Sequence, residues 1–480
     1  MIRLITNTPQ YFNDIAEEIR LFLGMAEIGG AEVEGADTEL RIELLADRAE
    51  GSLLPGGLKC SVPFTYDDGD AMDKKRQQKR AVKLIAYRLM KERFVANTPW
   101  GALTGIRPTK LLRELSQKYG ETEALRQFSE VFSVSGEKSG LARTICAVQK
   151  PFIESAGERA LDVYIGIPYC RSRCLYCSFG SAVARTAHEL SDYLAYLKRD
   201  IHEGAKLMKQ GGYELRSIYV GGGTPTVFSA DQLSELLTCA LNSYGGFGEE
   251  LTVEAGRPDT ITAEKLRAMR ELGVSRVSVN PQTMQDRTLG VVGRTHTSQE
   301  TADCFQLVRS FGFYSINMDV IAGLPGEGTA EFEDTMNRIA ELRPDNLTVH
   351  TLAIKRSSRL KETLPDYALP EAEVVESMTK LGAETAKALS MRPYYMYRQK
   401  YMQGNLENVG YAVAGKECLY NIDMMEETAS IMAHGAGAMS KRVFGAQNRV
   451  ERLRNPKDIQ TYFEKQERLF EQKKELFLSD

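Results

Sequence analysis

The sequence predicts an α/β protein. Its centre is a parallel sheet curled into a whole or partial TIM-like (β/α)6 barrel, with a small α+β region before it and a mostly helical region after it. Three observations predict this. From residue 160 to about 360, short apolar runs alternate with amphipathic helical stretches. Before residue 155 the rhythm is strand, helix, strand, strand, helix, and after about residue 366 it turns to helices and turns. The length of 480 residues sets a prior of roughly three structural units; the changes of rhythm place them at 1–155, 156–365 and 366–480.

In the first region 1–6 reads as a strand and 11–23 as a helix. The alternating stretch 39–45 reads as a strand paired with 58–64. A long helix is expected over 71–94, with Lys74, Lys75, Arg76, Lys79, Arg80 and Lys83 as a solvated basic face. The segment around Trp100, the only tryptophan, reads as a loop packed on the next domain. The expected barrel strands are 162–167, 217–220, 251–254, 276–279, 315–321 and 346–351. Helices are expected at 189–209, 230–244, 263–272, 298–311 and 331–342. Folds of this kind carry their chemistry on loops at the C-terminal strand ends, so functional motifs should follow directly after strands.

Lys+Arg 61 against Asp+Glu 65 leaves a net charge of −4, with no global basic field to attract nucleic acid or anionic lipid. No apolar run is long enough to span a bilayer, and the N-terminus does not read as a signal peptide. These features predict a cytoplasmic, reducing setting without nucleic-acid or membrane partners. There the eight cysteines read as reduced: Cys60, Cys146, Cys239, Cys304 and Cys418 as structural, Cys418 in a loop.

Cys170, Cys174 and Cys177 are different. Three thiolates spaced Cys-x3-Cys-x2-Cys directly after the first barrel strand can hold three corners of a cubane iron–sulfur cluster and leave the fourth iron open. A tetrahedral zinc would need a fourth ligand, and the nearest candidate in sequence is His188. Gly221-Gly222-Gly223-Thr224-Pro225-Thr226 follows the second strand, where glycines let the backbone approach a ligand closely. Glu254 ends the third strand, Gln282 and Arg294 follow the fourth, and Asp319 lies in the otherwise apolar fifth. A planar guanidinium suits a carboxylate, and a carboxylate within an apolar strand requires hydrogen-bonding partners. Gly323-Leu324-Pro325-Gly326-Glu327 reads as a sharp strand-to-helix turn, and His296 and His350 as loop or core residues.

With Tyr176 before its last cysteine, this triplet resembles the signature of the radical S-adenosylmethionine (SAM) enzymes. More narrowly, the chain resembles the HemZ-type branch of the oxygen-independent coproporphyrinogen III oxidases, through 103–110 (Leu-Thr-Gly-Ile-Arg-Pro-Thr-Lys) and through 397–400 leading into 405–411. The resemblance implies one 4Fe-4S cluster on Cys170, Cys174 and Cys177, and one or two SAM molecules held by Tyr164, Gly222, Gly223, Thr224, Glu254, Gln282, Arg294 and Asp319. It also implies an electron donor such as flavodoxin or ferredoxin, and reductive cleavage of SAM to a 5′-deoxyadenosyl radical. The implied reaction converts two propionates of coproporphyrinogen III to vinyl groups in haem biosynthesis, with Arg107, Lys110, Lys355, Arg356 and Arg398 as candidate anchors for the substrate's carboxylates. The chain departs from the family at Gly166, where members with oxidase activity carry His. Another radical SAM tetrapyrrole reaction and a haem-binding chaperone therefore stay open as alternatives.

Overall fold

The computed structural model describes all residues except 25, 33–34, 67–68, 106, 180–181, 184–185, 356, 400–401, 446–448 and 480. The chain divides into two compact units: Met1–Arg143 with Gly404–Leu406, and Thr144–Gln403 with Glu407–Asp480.

The first unit holds a mixed sheet in the order Ile28–Gly29, Ile2–Thr6, Thr38–Leu44, Arg48–Leu54, Leu58–Pro63. Arg48–Leu54 therefore lies between the two segments expected to pair. It escapes notice as a strand because Gly51 and Ser52 interrupt its apolar pattern, although Ala49 and Leu53 are fully buried. Gly51 has a packing reason: a Cβ there would sit 2.4 Å from the Ile85 side chain of the helix Ala71–Arg93. That helix divides its cations. Lys74–Arg76 are exposed, whereas Lys79 pairs with Asp14 at 2.7 Å and Lys83 with the fully buried Glu18 at 3.1 Å. The Trp100 segment is bonded within its own unit, with the Ala102 amide on the Phe132 carbonyl at 2.7 Å and the Ser135 amide on Pro99 at 2.9 Å.

The second unit is organised on a sheet of eleven strands among the described residues. Six are the expected barrel strands: Ala160–Ile167, Glu214–Gly222, Glu250–Gly256, Arg276–Val279, Ser315–Ala322 and Asn346–Thr351, each parallel to the next. Burial on both faces explains their continuous apolar runs. The helices between them begin where the sequence places caps. Thr186, Ser229, Thr262 and Thr297 each accept a backbone N–H of the first turn, and the Glu331 carboxylate accepts the Gly328 amide at 2.8 Å. The turn at 323–327 leads from the fifth strand into the helix Thr329–Leu342 as expected.

The C-terminal region contributes helices, the longest being Ala372–Ala388 and Gln466–Leu478, together with strands the sequence reading did not name. Ser430–His434 lies parallel beside the first barrel strand and continues antiparallel through Met439–Phe444 and Arg449–Arg454. At the opposite edge Asn408–Val413 runs antiparallel to the sixth strand, followed by Met391–Tyr397. Pro393 is tolerated there because the register slips at that residue and the strand is an edge. Cys418 precedes the helix Leu419–Glu426 rather than lying in an open loop. Its buried thiol donates to Glu250 at 3.2 Å, Arg276 pairs with the same carboxylate at 3.3 Å, and Arg216 pairs with Asp423 at 2.7 Å. These bonds seal the N-terminal ends of the strands. The chemistry is left at the other end.

Candidate active site

The first barrel strand ends at Ile167, and the cysteine segment leaves it as a loop pinned by Leu175. This side chain is buried against Val292, Ile321, Leu324, Leu352 and Leu360, and its amide donates to Val292 at 3.0 Å. Cys174 is buried, while Cys170 and Cys177 are half-buried. The three thiols lie within one another's electrostatic reach. Burial pushes the Cys177 thiol up, as do the neighbouring Cys174 and Cys170, against the opposing Phe179 amide and Arg173 charge. The Arg294 side chain hydrogen-bonds Tyr176 and Cys174, and the Thr224 hydroxyl donates to Cys170 Sγ at 3.5 Å. Among the described residues, no three His, Cys, Asp or Glu side chains close around a point that one ion would fill. Three thiols on one loop, with Cys177 sensing both Cys170 and Cys174, form a donor set that suits an iron–sulfur cluster. His188 does not complete a zinc site: its exposed ring pairs with Asp192 at 2.8 Å.

The glycine run packs on this loop. Gly223 and Thr224 donate their amides to Ile167 and Tyr169 carbonyls at 2.7 and 2.8 Å. A Cβ on Gly223 would lie 2.5 Å from the Tyr169 carbonyl oxygen and 2.9 Å from Cys170 Sγ. Gly222 has φ 110°, open to glycine, and its amide hydrogen-bonds Glu254.

Glu254 lies within electrostatic reach of Asp319. Burial, then the charge of Asp319, lifts the Glu254 carboxyl to about 7. For Asp319 burial is outweighed by His350, Asn317 and Thr348, and its carboxyl is held low. Asn317 Nδ2 donates to it at 2.7 Å, and His350 Nε2 lies 3.6 Å away. Gln282 adopts a left-handed φ of 69°, uncommon outside glycine. Its amide donates to the Asp319 carbonyl at 2.9 Å and its carbonyl accepts from Ile321 at 2.9 Å. Tyr164 stacks on Tyr219 and Tyr420 at centroid distances of 6.2 and 6.0 Å, and Tyr219 donates to Glu254 at 3.4 Å. Each of the eleven residues singled out from sequence thus touches, or electrostatically senses, another of the set.

The structure adds Tyr219, Tyr420, Tyr397 and His350 to this lining, with the Tyr397 hydroxyl 3.3 Å from His350 Nδ1. His350 closes the sixth strand one residue before its end, a position that was the available signal. Of the candidate anchors, Arg398 is buried, Lys355 has its ammonium destabilised by burial, and Arg107 and Lys110 belong to the first unit. Arg356 lies outside the described residues, as do Ile106 and Lys400 of the resemblance segments. No helix among the described residues is long and apolar enough to cross a membrane.

Residues 164–339 match the model of the radical SAM superfamily. The solved structure of coproporphyrinogen III oxidase HemN from Escherichia coli, a radical SAM enzyme, superposes with a TM-score of 0.54 at 21% identity, covering 68% of this chain and 73% of that one. With a three-cysteine loop at the C-terminal end of a parallel barrel strand, the matched region is a radical SAM domain. Among curated proteins it is 36% identical over 404 residues to the oxygen-independent coproporphyrinogen-III oxidase-like protein HemZ of Bacillus subtilis, covering 83% of this chain and 81% of that one. It is also 32% identical over 281 residues to the heme chaperone HemW of Bacillus subtilis, covering 58% and 70%. The chain belongs to the HemZ-type family of oxygen-independent coproporphyrinogen-III oxidase-like proteins.

Proposed function

We propose that this chain carries out the oxygen-independent oxidative decarboxylation of coproporphyrinogen III to protoporphyrinogen IX. It would do so with one 4Fe-4S cluster on Cys170, Cys174 and Cys177 and with SAM beside it. The observation that carries the reading is that the thiol loop, bonded by Thr224 and Arg294, packs on the glycine run whose Gly222 amide reaches Glu254. When bound, cluster and SAM would supply a hydrogen-atom acceptor, so that a propionate losing one hydrogen atom to it, one carbon dioxide, and one electron to a separate one-electron acceptor becomes a vinyl group.

The chain's own residues do the holding. Gly222, Gly223, Thr224 and Glu254 would receive the amino group of SAM, and Asp319 and Gln282 would meet hydroxyls. Arg294 presents a guanidinium to a carboxylate, and Tyr164 walls the interior. The second SAM molecule, a flavodoxin- or ferredoxin-type electron donor and a cytoplasmic location belong to the same proposal.

Gly166 favours a second reading. A Cβ there would lie 3.2 Å from the Tyr164 ring and 3.3 Å from the His434 carbonyl oxygen, so the backbone is shaped around a missing side chain where oxidase members of the family carry His. Another radical SAM tetrapyrrole reaction, or a haem-binding chaperone role without oxidase activity, would follow; the HemW relatives are named heme chaperones.

An anaerobic assay with reductant, SAM and coproporphyrinogen III separates them. Vinyl product is expected; methylated or ring-opened product, or unchanged substrate with stoichiometric haem transfer, selects the alternatives. The reconstituted protein should be brown with about four irons per chain, and Cys174→Ala should lose them. A colourless, zinc-loaded wild type would contradict both readings.

A further inference from the structure

Only three residues separate Cys170 from Cys174, and two of them are gripped from the third barrel strand's end. Arg257 is buried and forms a two-pronged pair with Asp259, Nε to Oδ1 at 3.0 Å and Nη2 to Oδ2 at 2.9 Å. Its remaining nitrogen, Nη1, donates to Ser172 Oγ at 2.7 Å and to the Ser172 carbonyl at 3.4 Å. Ser172 Oγ in turn donates to the Gly293 carbonyl at 2.9 Å. Asp259 reaches both neighbours: its carboxylate accepts the Thr295 hydroxyl at 2.9 Å, and its backbone carbonyl accepts Arg171 Nη1 at 2.8 Å. Arg294, which hydrogen-bonds Cys174, sits between Gly293 and Thr295. One ion pair, with its arginine buried, therefore ties the interval between the first two thiols to the turn that brings a guanidinium to the second.

We propose that Arg257 and Asp259 are positioning residues that set the spacing of Cys170 and Cys174 and the approach of Arg294, and through them the electronic environment of the cluster. The proposal rests on the reading of this loop as the cluster site. The physical case is one of rigidity. A three-residue loop has few internal constraints, so its geometry is dictated by what it is bonded to. A bidentate guanidinium–carboxylate pair fixes direction as well as distance, which a lysine cannot reproduce. Groups that orient metal ligands in this way change metal affinity about ten- to a hundredfold when removed.

The test compares wild type with Arg257→Lys, Arg257→Met and Asp259→Asn as full-length proteins. In the metal-free proteins the alkylation rates of Cys170 and Cys174 are measured. In the anaerobically reconstituted proteins the readouts are the electron paramagnetic resonance spectrum and the midpoint potential of the reduced cluster. Arg257→Met and Asp259→Asn are expected to raise the thiol alkylation rates several-fold and to alter the spectrum and the potential. Arg257→Lys should fall between them and wild type, and the Arg257→Met/Asp259→Asn double variant should add little to either single change. Variants that melt at lower temperature yet keep wild-type alkylation rates, spectrum and potential would reduce the pair to a fold-stabilising role and overturn the proposal. So would equal behaviour of Arg257→Lys and Arg257→Met in all three readouts. A wild type that takes up no cluster is a separate outcome: it overturns the reading of the site, and the alkylation rates still decide whether the pair orders the loop.

Discussion

Gly223→Ala adds one methyl group at the tightest point of the site. Its Cβ would lie 2.5 Å from the Tyr169 carbonyl oxygen and 2.9 Å from Cys170 Sγ. To reach the 3.4 Å of ordinary contact the carbonyl must retreat by about 0.9 Å and the sulfur by about 0.5 Å. Neither is the loose end of a flexible chain. The carbonyl already accepts the Thr224 amide at 2.8 Å, and Tyr169 is buried with its neighbour Cys170 in a short pairing with Ala182–Val183. Overpacking of this kind costs about 1–3 kcal/mol. Because the atoms displaced include a thiol of the triplet, the larger effect is expected in iron uptake, which should fall at least tenfold in affinity on the scale of disturbed metal-ligand support. The assay is iron content against added iron under anaerobic reconstitution, with a denaturant melt of the metal-free protein alongside. Gly290→Ala is the control: nothing lies within 4 Å of its Cβ position, and it sits in the helix Asp286–Val291. Alanine there should stabilise by about 0.4–1 kcal/mol and leave iron uptake unchanged. Wild-type iron titration and melting for Gly223→Ala would refute the packing argument.

Three further outcomes follow from the geometry. Gly166→His should destabilise the metal-free protein, since its Cβ must push the Tyr164 ring and the His434 carbonyl, and Gly166's own carbonyl is held by Tyr193 Oη at 2.7 Å; an unchanged melting temperature would show that the strand end has room. Lys473→Met strands Asp200, which is fully buried and also bonded to His434 and Tyr462, and should cost about 3–5 kcal/mol in urea unfolding; a loss below about 1 kcal/mol would mean that water reaches the site. For Glu254 the sign is set by a folded-state pKa of about 7 against an ordinary 4.5. The folded protein takes up this proton more readily than the unfolded chain, so stability falls as pH rises from about 4.5 to 7 and the full penalty stands above that. Glu254→Gln removes the penalty, so its melting advantage in the metal-free protein should widen between pH 5 and pH 8; a constant difference would mean that Glu254 titrates normally.

The barrel was legible because its strands are buried on both faces and its helices are amphipathic, signals that reside in short stretches of sequence. Ser430–His434 was not, because five residues of Ser-Ile-Met-Ala-His carry no strand signature by themselves. They become a strand only because the exposed edge of Ala160–Ile167 accepts them. The same distinction divides the site. Cys170, Cys174 and Cys177 announce themselves by spacing, whereas Tyr420 reaches Tyr219, at 4.5 Å between centroids, from a helix some two hundred residues away in sequence. Lys83 was expected on a solvated face and Arg257 drew no notice, since a sequence does not reveal that a carboxylate will be buried beside a cation.

The two ends of the barrel treat charge in opposite ways, and this bears on what the site can bind. At the N-terminal strand ends Arg216 is matched by Asp423, and Arg276 by Glu250, all within the chain. At the C-terminal ends Glu254 feels the charge of another carboxylate, Asp319, whose own support comes from neutral donors and from His350 at 3.6 Å. Buried polar atoms are left there without partners, Arg294 Nε and Asn280 Oδ1 among them. Two carboxylates drawn together in a half-buried setting destabilise the empty protein, and a ligand carrying positive charge would relieve that repulsion on entering. On the proposed reading, Arg294 would meet a carboxylate on the same ligand. A small zwitterion with a further cationic centre and hydroxyls satisfies both requirements at once, which is the charge pattern of SAM. A neutral or purely anionic ligand leaves the Glu254–Asp319 repulsion in place.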